Sequence, residues 1–261
     1  LLAEAPNWRE QKLAVSQSQV NLLLLLQNSK RTFKELEPEA TEVMQVLEQF
    51  VQEESSDPES LISLTSLRVN WTYMLMAEGR HDESLKGLGQ VIDALEAFLK
   101  REPNWNQARS VLYSARGVRA TVHDRMGRYA DAARDYRRVV DLAPSERDRK
   151  SLRTELNTLL LLAHDYESAL VEAEKSAADD VPMHSLGIIQ RHIKSCATLA
   201  DVVVSEQKPY RTRALRVARL ELEKARGKTV PATWQAWLKT IREVKELKMF
   251  LAEAELQEAL K

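Results

Sequence analysis

The chain has 261 residues, among them seven Gly, eight Pro and one Cys, with a formal charge of −1. Gly and Pro stand at about half their usual share, which excludes collagen-like, loop-rich and many-stranded β architectures that need those residues at turns. A mostly helical chain follows, long enough for one large domain or two small ones. The lone Cys196 excludes an intrachain disulfide framework and multi-cysteine metal sites and fits a reducing compartment. The balanced charge lacks the excess of bases expected of a dedicated nucleic-acid binder.

The longest apolar run, Val20 to Leu26, is broken by Asn21 and falls far short of the roughly 20 residues of a membrane span. A soluble, cytoplasmic protein is expected. The chain opens Leu1-Leu2-Ala3-Glu4 with neither Met nor a basic-then-apolar leader, and reads as part of something longer.

In chain order, prolines mark where helices are expected to start or stop: Pro6, Pro38, Pro58, Pro103, Pro144, Pro182, Pro209 and Pro231. Apolar residues fall at three- and four-residue spacing between them. Pro suits the first helical turn because its missing N–H has no intrahelical partner there. Around Pro6 an opening helix pair is expected, with Asn28-Ser29-Lys30-Arg31 at its turn. Asp57-Pro58-Glu59 supplies a cap, a first helical residue and an acid facing the helix dipole. Asn104 with Gln107, and Ser145 with Asp148, read as capping boxes.

Tight turns form the second mark. Gly79-Arg80-His81 and Gly127-Arg128-Tyr129 share a frame in which Gly takes the left-handed conformation and a small residue five positions on opens the next helix. Ala163-His164-Asp165-Tyr166 repeats it with His in place of Gly. The spacings are 48 residues from Gly79 to Gly127 and 37 from Tyr129 to Tyr166. This is an internal repeat of helix–turn–helix units. Small residues at the crossing, Ala120, Ala132 and Ala133, let the backbones approach while Tyr129 and Tyr136 fill the space beside them.

Few residues suggest chemistry. His192 and Cys196 share a helical face at ligand spacing, but no second pair of ligands accompanies them. Asp179-Asp180 with Glu172 and Glu174 reads as the turn after a helix rather than a cation site. Trp234 and Trp237, three apart, read as core that closes the helical stack rather than as an exposed aromatic face. His123-Asp124 has no nucleophile beside it. No cofactor and no metal are expected.

Charge is uneven. Residues 31–60 hold nine acids against two bases, and residues 208–248 hold twelve bases against four acids. Solvated helix faces are the simpler account; an anionic partner at the basic stretch is the other.

The segment from Arg119-Ala120 through Gly127-Arg128-Tyr129, Ala132, Tyr136 and Pro144 resembles a tetratricopeptide repeat, with Arg116 and His123 where that family has larger apolar residues. Copies around Gly79, and around Tyr166 with Ala169, are looser. The resemblance covers about residues 8–180. It implies an all-α fold, a right-handed α-α superhelix that is a solenoid of antiparallel helix pairs over residues 1–182, continued and closed by helices over 183–261. It also implies a non-catalytic module that binds a protein or peptide in a groove lined by the first helix of each pair. Those groove positions are Ser66, Val69, Asn70, Tyr73 and Met76, then Ser114, Gly117, Thr121, Asp124 and Arg125.

A narrower likeness joins Ala5-Pro6-Asn7-Trp8, Glu102-Pro103-Asn104-Trp105, Gly79-Arg80, Gly127-Arg128 and the tail around Leu247 to Glu253. These are similar to the repeat regions that follow the catalytic domain in serine/threonine protein kinases of planctomycete-type bacteria. The kinase motifs themselves are not in this sequence, and Gly87-Leu88-Gly89 lies in a helical pattern without a third glycine. The competing expectation is a stand-alone nucleic-acid or anion binder using the bases of 208–248.

Overall fold

The structure, a computed structural model, describes residues 33–53, 58–178, 185–201 and 210–261. The expected opening pair near Pro6, the Asp57 cap, Asp179-Asp180, Pro182, Lys208 and Pro209 lie outside these residues. The described residues are helical, with no strand among them. The helices are α1 (Phe33–Glu53), α2 (Pro58–Ala77), α3 (His81–Arg101), α4 (Asn106–Arg125), α5 (Tyr129–Asp141) and α6 (Glu146–Leu162). They continue with α7 (Tyr166–Ala178), α8 (Leu186–Asp201), α9 (Tyr210–Lys228), α10 (Pro231–Arg242), α11 (Lys245–Leu251) and α12 (Ala254–Gln257). The expected all-α fold of antiparallel helix pairs is observed. Two compact units divide within α4, Leu1–Val122 and His123–Lys261.

The turns follow from their left-handed residues. Gly79 and Gly127 have φ of 78° and 71°, and His164 adopts φ 59° in the same frame. Each turn closes with the same two bonds. Gly79 N–H donates to Met76 O and Arg80 N–H to Leu75 O; Gly127 N–H donates to Asp124 O and Arg128 N–H to His123 O. His164 N–H donates to Leu161 O and Asp165 N–H to Leu160 O. This pair of bonds caps the last carbonyls of a helix and reverses the chain. The small residue five positions on is fully enclosed in all three copies, as Ser84, Ala132 and Ala169.

Packing at the crossings is tight. In the first unit Ser84 Oγ donates to Thr72 O at 2.8 Å, and a Cβ on Gly87 would meet Thr72 Cγ2 at 2.8 Å. In the second unit Asn157, at the Thr72 position of its copy, donates through Nδ2 to Ala169 O. The first core joins α1 and α2 through Leu36, Val43, Leu47, Leu67 and Leu75, with Phe33 stacked on Trp71 at 4.5 Å. The second runs continuously from Ala132 to Leu260 and includes Leu156, Leu170, Ile193, Leu199, Leu222 and Ile241.

Two start signals are displaced. Pro38 was expected at a helix boundary but lies inside α1. The turn ahead of it is anchored by Phe33, which stacks on Trp71 and lies 5.0 Å beneath the Arg80 guanidinium. Helix α4 begins at Asn106 rather than after Asn104, because Trp105 turns back edge-on to Phe98 at 5.7 Å. Elsewhere the signals hold: Ser145 Oγ accepts from Asp148 N–H at 3.1 Å, and Pro231 opens α10.

Candidate interaction surfaces

Positions lining the first helices divide by burial. On α2, Val69 and Met76 are buried, Ser66 and Asn70 are half-buried, and Tyr73 is 55 % exposed. Asn70 Nδ2 donates back to Ser66 O at 3.0 Å, which leaves its amide oxygen for another donor. On α4, Ser114 and Thr121 are exposed and Gly117 is half-buried; Asp124 and Arg125, at its end, are exposed. Ser114 and Thr121 stand 48 residues after Ser66 and Tyr73, so the two helices repeat one pattern.

Repeat-defining residues serve the pairs. Ala120 and Ala132 are buried, Tyr129, Tyr136 and Tyr166 are half-buried, and Pro144 follows the end of α5. Tyr166 Oη lies 2.7 Å from Nδ1 of His164, the residue that replaces the turn glycine.

The centre of the second unit is polar. Lys150 Nζ of α6 lies 3.2 Å from Glu221 Oε1 of α9, and both side chains are 2 % exposed. His192 and Cys196 of α8 belong to the same interior. Neither nitrogen of His192 has a hydrogen-bond partner. Burial, reinforced by the Lys150 charge, lowers its pKa from 6.5 to about 4. Burial and the Glu221 charge push the Cys196 thiol up. A buried thiol with a raised pKa is a packing group, not a nucleophile. Among the described residues no cluster of three or more His, Cys, Asp or Glu is arranged to hold a metal ion.

Sequence reasoning missed the Lys150–Glu221 pair, although a signal was present. Glu221 falls on the spacing of Ala214, Val217, Ala218 and Ala225, and Lys150 on that of Thr154 and Asn157; all eight are buried. Glu172 and Glu174, considered as metal ligands, face cations instead. Glu172 lies 2.7 Å from Lys175 and 3.8 Å from Arg153. Arg213 of α9 donates to both oxygens of Glu174 at 2.8 Å and to Glu167 at 3.0 Å. Trp234 and Trp237 are buried, with ring centroids 5.0 Å apart.

A cavity of about 730 Å³ opens in the second unit between α5, α6 and α7. It uses Arg149, Arg153 and Leu156 of α6, a different face of the first helix from the one that carries the expected groove. Among the described residues no helix is long and apolar enough to cross a membrane.

No protein-family model matches the chain, and no curated protein matches it. Among solved structures it is similar to TPR-like repeats of a putative kinesin light chain from Podosopora anserina, at 16% identity and a TM-score of 0.42, covering 91% of this chain and 97% of that one. A Q17M form of the same protein matches at 17% identity and a TM-score of 0.43, covering 92% and 98%.

Proposed function

We propose that the chain is a non-catalytic protein-interaction module that holds a protein or peptide partner along the first helices of its pairs. The observation that carries this reading is Tyr73, a large aromatic side chain 55 % exposed on a helix face whose neighbours Val69 and Met76 are buried. Tyr is among the residue types enriched where the binding energy of an interface concentrates. Ser66 and Asn70 beside Tyr73, and Ser114, Gly117 and Thr121 one repeat later, supply a low-relief polar surface around it. Asp124 and Arg125 extend the same face. In this reading residues 1–182 carry the binding pairs and 183–261 close the stack.

The parent in this proposal is a bacterial serine/threonine protein kinase, supported by the sequence likeness of the Pro-Asn-Trp starts, the Gly-Arg turns and the tail. The coding sequence upstream of Leu1 tests it: a Gly-rich loop and an Asp-Phe-Gly support the kinase, and an unrelated domain removes it. The binding face is tested by affinity capture from source-cell extract with the wild-type chain and Tyr73→Ala in parallel. Proteins held by the first and lost by the second, at unchanged helicity, support the face. Identical sets from both would exclude it.

A further inference from the structure

The cavity of the second unit has an origin in the repeat itself. Over residues 33–125, α1 and α3 are both 21 residues and α2 and α4 both 20, displaced by 48. Each copy carries an ion pair between its first helix and the helix before it: Arg68 with Glu48, and Arg116 with Glu96. Arg68 and Arg116 stand eleven residues before Gly79 and Gly127, and Arg153 stands eleven before His164. The helix preceding Arg153 is shorter. Helix α5 has 13 residues, so the position corresponding to Glu96 falls at Pro144, beyond the helix end. Arg153 lies 3.8 Å from Glu172 of α7, and the cavity opens beside the end of the shortened helix.

Its chemistry is mixed but not neutral. Val140, Leu156 and Val171 give it apolar walls, and Arg137, Arg149, Arg153 and Lys175 bring four cations. The three carboxylates on its wall have cations of their own: Glu172 has Lys175 and Arg153, Glu167 has Arg213 at 3.0 Å, and Asp141 faces Arg138 at 3.5 Å. Outside the lining Arg213 and Arg138 serve these carboxylates and Glu146 pairs with Arg149, so the cationic charge left over at the cavity is that of Arg137. Arg137 is exposed and makes no ion pair among the described residues, and the Lys175 side chain is 53 % exposed.

We propose that this cavity docks an acidic peptide segment of a protein partner. An aliphatic side chain seats against half-buried Val171, and flanking Asp or Glu carboxylates pair with Arg137 and with Lys175, whose exposed ammonium also serves Glu172. The site does not depend on the α2 and α4 face.

Fluorescence anisotropy on the full chain tests it, with a labelled Glu-Leu-Glu-Glu-Leu-Asp peptide and its amide counterpart Gln-Leu-Gln-Gln-Leu-Asn. The acidic peptide is expected to bind, and the amide form to bind about tenfold more weakly, because the charged contacts supply the discrimination. Arg137→Glu with Lys175→Glu lowers affinity by about tenfold or more. The same change of net charge made elsewhere, Arg216→Glu with Lys248→Glu, leaves it unchanged, as does Tyr73→Ala. Circular dichroism confirms that each variant is folded. The proposal is overturned by absence of binding at about 1 mM chain, a concentration that would reveal even weak association. Equal binding of both peptides, or equal loss with the control charge reversal, overturns it too. Loss of the peptide in Tyr73→Ala alone overturns it and places the acidic segment on α2.

Discussion

His192 sits in the interior of the second unit with neither ring nitrogen bonded and a pKa lowered to about 4, first by burial and then by the Lys150 charge. In the unfolded chain the same imidazole titrates near 6.5. Between those values the unfolded state binds the proton and the native state does not, so stability rises with pH across the window. Acidification from pH 6.5 to 4 therefore costs about 3 kcal/mol through this group, and nothing more below it. Urea unfolding at a series of pH values checks this by difference. His192→Leu should flatten the profile between pH 6.5 and 4 by that amount relative to wild type, while carboxylates titrating near 4 act on both proteins alike. An unchanged profile in His192→Leu would mean that the imidazole is hydrated in solution. At this scale the turns were legible and the interior was not. Gly79 and Gly127 announced left-handed turns because few other residues tolerate them, and the frame was strong enough to place His164 there as well. Nothing adjacent to His192 in the chain signals its environment, which α6 and α9 supply from 42 residues before it and 29 after.

Helix α9 is fastened to its neighbours by contacts of very different strength. The exposed pairs of Arg213 with Glu167 and Glu174 lie where water competes, so each contributes little. Lys150–Glu221 is enclosed, and there desolvation offsets the attraction while removal of one partner strands a charge. Lys150→Met or Glu221→Leu alone is therefore expected to destabilise the chain by about 3–5 kcal/mol, whereas the double substitution returns close to wild type or above it. A double-mutant cycle by chemical denaturation reads the coupling. Additive losses would show that each side chain has other partners sufficient to hold it. The same elements show where sequence stopped being informative. Helix existence followed from periodicity and punctuation, yet α4 starts at Asn106 because Trp105 packs on Phe98, and Pro38 is carried inside α1 by the anchoring of Phe33. Both shifts come from contacts between helices, which local capping rules do not contain. The cavity beside α5 was written in the sequence as the change of repeat length from 48 to 37 residues, but its consequence needed the helix ends in space.

For the molecule as a whole, the stretch 208–248 counts as strongly basic, and that count is what an anion-binding reading rests on. The fold uses up part of it. Arg211 pairs with Glu253, Arg213 is held by Glu174 and Glu167, and Arg219 lies 3.6 Å from Glu223. Lys224 and Arg226 donate to the Ala177 and Glu258 carbonyls at 2.7 and 2.9 Å. Those two keep their charge, because a carbonyl accepts a hydrogen bond without neutralising it, and Arg216, Lys228, Lys239, Arg242, Lys245 and Lys248 are exposed. Pairings such as Arg213 with Glu174 or Arg211 with Glu253 span 39 and 42 residues, so composition counts the charge without its neutralisation. Each phosphate neutralised on duplex DNA adds about 0.9 to the slope of log affinity against log salt, so these eight cations limit the slope to about 7. Measured by anisotropy with a 20-base-pair duplex, the chain should bind no tighter than about 10 μM at 150 mM salt, the range of non-specific contact. Charge reversal at Lys245 and Lys248 should lower both the affinity and the slope. Sub-micromolar binding at that salt, or a steeper slope, would establish the nucleic-acid reading. It would also require the ion pairs of α9 to open in the complex, because the exposed cations alone cannot release that many counterions.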